Sequence, residues 1–392
     1  MSKGIYITAV EDHSGKSMMS LGMMQKLLGQ MPKVGFFRPI VEDEYADNHS
    51  RIMINFFGLK INYEDTVGYS RAKLLSLINQ GKTGDVIDNL IAKYKKIEEQ
   101  NDFVLVEGTD FVGEGSLLEL DFNILIARNL GLPVILIGNG VGKSKDELKT
   151  QMQMAYNSYR NKDVEVLAII NNKINEKNLE IANEAMREFL PESVSIFAVP
   201  RIGSLLNPSM KEIVDHLEGK VLFGHDYLEN QVGSIGVGAM QLRNYLPQIR
   251  EDNLVITPGD RADIILGVLQ ANISKNYPRI SGILLTGGLL PEEPIIKLIE
   301  GLPNTIPIAS VEEGTFQIAN RVGAIKSNIY VNSSRKIRTS IEVFEKYVPI
   351  NQLLDKLMNF ENKILTPRMF QYDLVRRASV SKKRIVFFFD CN

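Results

Sequence analysis

The chain has 392 residues, 44% of them hydrophobic and 23% charged, with a net charge of −2. At about 100 to 200 residues per domain this length predicts two or three domains, and the composition excludes disordered and fibrous classes. The balanced charge gives no electrostatic footprint for nucleic acid or an anionic membrane, the single cysteine excludes a disulfide framework, and the four histidines (His13, His49, His216, His225) lack the spacing of metal ligands.

The first residues enter a strand pattern directly, without the basic, apolar and cleavage regions of a signal peptide. The longest apolar runs, such as Pro133 to Gly138, are far shorter than the roughly 20 residues that cross a bilayer. A soluble cytoplasmic protein is expected, with neither membrane nor nucleic acid as a partner. Short apolar runs then alternate with helix-period segments. Strands are predicted at Ile5 to Val10, Val34 to Phe37, Phe103 to Val106, Val134 to Ile137, Val166 to Ile170 and Val194 to Val199, with helices at Asp85 to Glu99, Lys145 to Tyr159 and Leu179 to Phe189. Runs that are apolar at consecutive positions suit strands buried on both faces, so the fold class is α/β, a doubly wound parallel sheet. A second, smaller α/β unit is expected over 219–332, with strands at Asn253 to Ile256, Ile283 to Leu285 and Ile306 to Ser310. A helical linker follows over 333–364, and from 365 the chain opens a further domain.

The first predicted strand runs into Glu11-Asp-His-Ser-Gly15-Lys16-Ser17 and then a helix from Met18 to Leu28. Strand, tight loop and helix start form the setting in which backbone N–H groups cradle phosphate, as in P-loop NTPases. Gly15 would supply the turn, Lys16 a point charge for the β- and γ-phosphates, and the Ser17 hydroxyl a magnesium ligand. Val10 and Ala9 stand where such loops use glycine, so the loop reads either as a working Mg-ATP site or as a vestigial one. Arg38 and Glu107 end their strands at the same sheet edge, Glu107 in the position of a carboxylate that holds magnesium through water. Asn171 ends another strand, where an amide could read a purine edge; as a lone signal it is a turn former. In the second unit Asp260 is expected to cap a helix, with Arg261 beside it and Asp263 in the first turn, and Thr286-Gly287-Gly288 closes the next strand. Capping and turn chemistry would explain both, and a ligand or subunit-contact site is the competing reading. No nucleophile, base and orienter set is legible.

With these motifs in order, the chain resembles the long form of bacterial phosphate acetyltransferase. Gly15-Lys16-Ser17, Arg38, Glu107 and Asn171 fall where its dethiobiotin-synthetase-like domain carries nucleotide motifs. Gly259-Asp260-Arg261 with Thr286-Gly287-Gly288 is similar to the DRTGG signature, and Leu365-Thr-Pro-Arg-Met-Phe370 with Lys383 to Val386 is similar to the opening of the catalytic domain. The resemblance implies a regulatory and oligomer-forming region in a protein that converts acetyl-CoA and phosphate to acetyl phosphate and CoA. The implied partners are other copies or full-length transferase subunits, with a small-metabolite effector. Arg38 stands where the synthetases use a catalytic lysine, which argues against synthetase chemistry. From Phe387 the chain departs from the family, and its last residues are expected to mark a polypeptide cut off by truncation or frameshift, so that no acetyl-transfer residue is carried over. The alternatives are a free-standing ATP-dependent synthetase-like enzyme and a nucleotide-sensing interaction module.

Overall fold

The computed structural model describes residues 3–109, 116–303, 305–325, 329, 333–362 and 365–381. The expected strand at 384–386 and the aromatic ending lie outside the described residues. The chain divides into two compact units: Met1–Arg201 with Tyr330–Asn392, and Ile202–Ile329.

Among the described residues of the first unit, seven strands form one sheet: β1 (Gly4–Ala9), β2 (Val34–Val41), β3 (Val67–Ser70), β4 (Phe103–Glu107), β5 (Val134–Asn139), β6 (Val166–Ile174) and β7 (Ser195–Pro200). Their order is β3-β2-β4-β1-β5-β6-β7, and every neighbouring pair is parallel. Both faces are covered, which is why the strands read as continuous apolar runs. Side chains alternate between the faces. Tyr6, Val104, Val106, Val134, Leu136 and Ile169 join the apolar cluster formed with the helices Thr83–Gln100, Ser116–Leu130, Lys145–Arg160 and Leu179–Arg187. The other parity, which includes Ile7, Leu105, Ile137 and Ile170, is equally buried and faces the helix Lys16–Leu28. β3 has no apolar run to announce it, since its sequence is Val-Gly-Tyr-Ser.

The helix Ser334–Tyr347 returns to the first unit and lies along Lys16–Leu28. A Cβ on Gly22 would stand 2.1 Å from Cγ of Phe344, so the ring occupies the space a side chain would need. Lys26 and Glu345 pair at 2.8 Å beside it. Nine of the thirteen residues of Lys16–Leu28 are buried as a result, the mark of a helix packed on opposite sides. The helix Pro367–Ser381 docks on the opposite face, against Thr83–Gln100, with Arg368 Nη1 donating to Gly84 O at 3.0 Å and to Asp88 at 2.6 Å. The segments read as a linker and as the start of another domain are thus packed onto the first unit.

Among the described residues of the second unit, five strands form a sheet in the order β8-β12-β11-β10-β9: β8 (Lys220–Phe223), β9 (Ser234–Val237), β10 (Asn253–Pro258), β11 (Ile280–Thr286) and β12 (Ile308–Ser310). β8 pairs antiparallel with β12 and the remaining pairs are parallel. This unit starts before the expected boundary at 219. The helix Met210–His216 buries Met210, Ile213 and Val214 against Leu254, Ile256 and Leu284, so residues 202–218 are held by this second core. No described helix is long and apolar enough to cross a membrane.

Candidate functional site

The loop between β1 and the helix Lys16–Leu28 is a tight turn with two left-handed residues, His13 at φ 54° and Gly15 at φ 86°. His13 is exposed, Ser14 is buried and Lys16 is only 2% exposed, so the motif lysine stands inside the protein and not on its rim. Ser17, the expected magnesium ligand, is half-buried in the first helical turn. Val10, where a standard loop has glycine, packs against the main apolar cluster. The helix start has no side-chain cap, which leaves its first amide groups to be met by something else.

Arg38 and Glu107 come together beside this loop. Glu107 is fully buried; Arg38 Nε lies 3.3 Å from Oε1, and His49 Nδ1 lies 3.2 Å from Oε2. Arg38 Nη1 also donates to Asp47, which caps the helix Asn48–Phe57 by accepting from Ser50 N at 2.8 Å. Burial pushes the Glu107 carboxyl upward, but His49, Arg38 and Lys16 outweigh it and hold the group well below the usual carboxylate range. The carboxylate expected to hold magnesium therefore has the Arg38 guanidinium beside one oxygen and the His49 ring on the other. Among the described residues, no group of three or more His, Cys, Asp or Glu is placed to hold a metal ion.

Asn171 and Asn172 separate by parity. Asn171 lies opposite Gly138 on the face of the main cluster, its Oδ1 near Met152 and away from the loop, and neither end of its buried amide has a hydrogen-bond partner among the described residues. Asn172, which the sequence reading passed over, shares the face of Glu107 and donates from Nδ2 to Ser14 O at 2.8 Å. Lys173 Nζ donates to His13 O; burial, then repulsion from Arg201, lower its pKa below the usual lysine range. On the other side of the loop Gln151 donates to Glu11 at 3.0 Å, Lys143 pairs with Glu11, and Ser14 Oγ donates to Glu11 O at 2.6 Å. Asp47, His49, Asn172 and Lys173 thus stand at this edge, and the motif reading singles out only Asn171 among the neighbouring strand-end residues. The spacing Asp47 to Ser50 is a helix-start signature, and the alternation from Ile170 to Asn172 carries the other signal.

The second unit builds its motif differently. Asp260 is exposed and does not cap; the helix Ala262–Ile273 starts one residue after Arg261. Arg261 instead grips Asp263 with Nε and Nη2 at 2.8 and 2.9 Å and reaches Met240 O at 2.9 Å, tying the β9 exit to the helix start. Gly259 has no room for a side chain, since a Cβ would fall 1.8 Å from Leu289 O. Thr286 is buried and its hydroxyl meets that of Thr315 at 2.7 Å. Gly287 and Gly288, both at positive φ, donate to Glu313 O and Val311 O at 2.8 and 3.0 Å. Each motif residue other than Asp260 fastens one loop of the sheet edge to another.

Two clefts of the first unit, about 450 and 390 Å³, are lined by residues such as Phe197 and Lys356, and Gly84 and Arg368. Neither touches the loop, where the buried charges are gathered.

A family model described as an AAA domain matches residues 3–209, and one described as a DRTGG domain matches residues 212–325. The chain is 38% identical over 400 residues to the phosphate acetyltransferase of Nitratidesulfovibrio vulgaris and 35% identical over 391 residues to that of Synechocystis. Each alignment covers 98% of this chain and 56% of the relative, so the chain spans little more than half the length of these proteins. The solved MinC:MinD cell division protein complex of Aquifex aeolicus is 14% identical with a TM-score of 0.34, over 52% of this chain and 84% of that one.

Proposed function

For a chain that belongs to the AAA domain family and carries a DRTGG domain after it, we propose a role as the regulatory and assembly portion of a phosphate acetyltransferase. In this reading the portion binds a phosphate-bearing metabolite at the loop and associates with copies of itself or with full-length transferase subunits in the cytoplasm. The observation that carries the reading is the alignment of 98% of the chain with transferases of which it spans 56%.

Mg-ATP fits the site in part. The loop amides, the uncapped helix start and Lys16 suit the phosphates, and the Ser17 hydroxyl is the group that would meet a magnesium ion carried in by them. Glu107 is poorly suited to that role, because His49 hydrogen-bonds one of its oxygens and the Arg38 guanidinium stands 3.3 Å from the other. Arginine at position 38 counts against a free-standing synthetase, since the resemblance puts a lysine there and the two cations are not interchangeable.

Incubating the pure 392-residue chain with acetyl-CoA and phosphate should release no CoA; measurable release would overturn the assignment. Calorimetry with Mg-ATP should give binding that Lys16→Ala removes. An absent signal, or one that ignores Lys16→Ala, would remove nucleotide from the proposal.

A further inference from the structure

We propose that Asn172 and Lys173 are the positioning residues of the phosphate loop, which they shape by pulling two successive backbone carbonyls outward; this rests on the phosphate-loop reading above. β6 runs in register with β7 until Asn171 and then shifts before Ile174. Lys173 sits in that shift with φ 58°, a left-handed conformation that a lysine adopts only when its surroundings require it. A bulge of this kind bends a strand and re-aims its side chains. Here the two re-aimed side chains meet the same turn: Asn172 Nδ2 takes Ser14 O, and Lys173 Nζ takes His13 O.

Asn172 is 2% exposed and fixed at its other end, its Oδ1 accepting from Lys173 N at 2.8 Å and its own carbonyl accepting from Gly140 N at 2.8 Å. In a planar trans peptide the N–H points opposite the C=O. Drawing the carbonyls of residues 13 and 14 toward β6 therefore turns the N–H groups of Ser14 and Gly15 the other way, and neither of these donates within the described residues. Successive N–H groups next to left-handed residues make an anion-binding concavity. Gly15 completes the fit, because a Cβ there would lie 2.2 Å from Asn172 Nδ2. The loop has no glycine at positions 9 and 10 to relax into this shape by itself, and β6 imposes the shape from outside.

The test compares wild type with Asn172→Asp, which sets a carboxylate oxygen against the Ser14 carbonyl at unchanged size, and with Lys173→Met and Lys173→Arg. Amide exchange is followed at Val10 and Met19, whose bonds to Ile137 O and Gly15 O bracket the loop, and Mg-ATP affinity is measured by calorimetry. Asn172→Asp and Lys173→Met should each speed exchange at both amides and weaken Mg-ATP, by up to about tenfold for the loss of one hydrogen bond and more for the buried Asn172 bond than for the exposed Lys173 one, while Lys173→Arg restores both. Exchange at the wild-type rate in both variants would overturn the inference, and so would faster exchange spread evenly through the two sheets. A wild-type chain that ignores Mg-ATP while the variants loosen Val10 and Met19 would sink the nucleotide proposal and uphold this one.

Discussion

The two sheets of this chain finish their strands in opposite ways. At the carboxyl edge of the first, Lys16, Glu107, Arg38, Asp47 and His49 are packed together in a nearly dry setting. At the same edge of the second, the one close ion pair among the motif residues, Arg261 with Asp263, is exposed, and the glycines hold backbone to backbone. Buried charge is costly unless each group is paired, and side chains so placed are where a fold carries chemistry or binding. A surface pair joined to backbone bonds is what loop fastening needs. The difference teaches that the first motif gathers buried charge at its sheet edge, while the second, on the described contacts, is a clasp.

Replacing Glu107 with Gln should break this contrast most strongly. It strips the shared partner from Arg38 and His49, and a loss of about 3–5 kcal/mol is expected for one half of a buried pair, read from the urea midpoint of the first unit. Gly259→Ala should come next: the added Cβ strikes backbone at Leu289 O, and overpacking of this kind costs about 1–3 kcal/mol, confined to the unfolding of the second unit. The acid limb of stability then sharpens the comparison. Glu107 has its pKa depressed in the folded state, so its contribution is complete above the ordinary carboxylate value of about 4.3 and is lost as pH falls below that toward the folded value. Wild type should therefore lose stability on acidification through that range, and Glu107→Gln should flatten that limb when urea midpoints are followed from neutral pH downward. Arg261→Ala should cost least, about 1 kcal/mol or less for an exposed pair, visible as a small shift in the second unit's midpoint. A larger loss there than for Glu107→Gln would invert the comparison.

Strands with continuous apolar runs were legible because burial on both faces writes itself into composition; Phe103 to Val106 and Val134 to Ile137 are examples. β3 and β8 were not, since a four-residue edge strand needs little apolar surface. Glu107 was legible from its place at a strand end and Lys16 from its place at a helix start; Arg38, read as a strand end, lies within β2, which runs on to Val41, and the structure brings the three together. What sequence could not supply was the partner of each. Whether Arg38 faces a ligand or Asp47 depends on how the chain folds back between residues 38 and 47, and whether Asn171 or Asn172 faces the loop depends on which face of the sheet the first helix covers. The helix cap assigned to Asp260 failed for a local reason: Arg261 draws the turn toward Asp263 and leaves Asp260 in solvent.

Phe344 pressed against Gly22 has a consequence for the order of events on the ribosome. The helix Lys16–Leu28 lacks the ring that packs on Gly22 until a segment more than three hundred residues downstream has been translated, and every residue of the second unit emerges before that segment does. Domains commonly form in the order in which they leave the tunnel. In this chain all of the later unit is synthesised before the earlier one has its last packing segment, and the methionine-rich helix acquires its Phe344 neighbour only then.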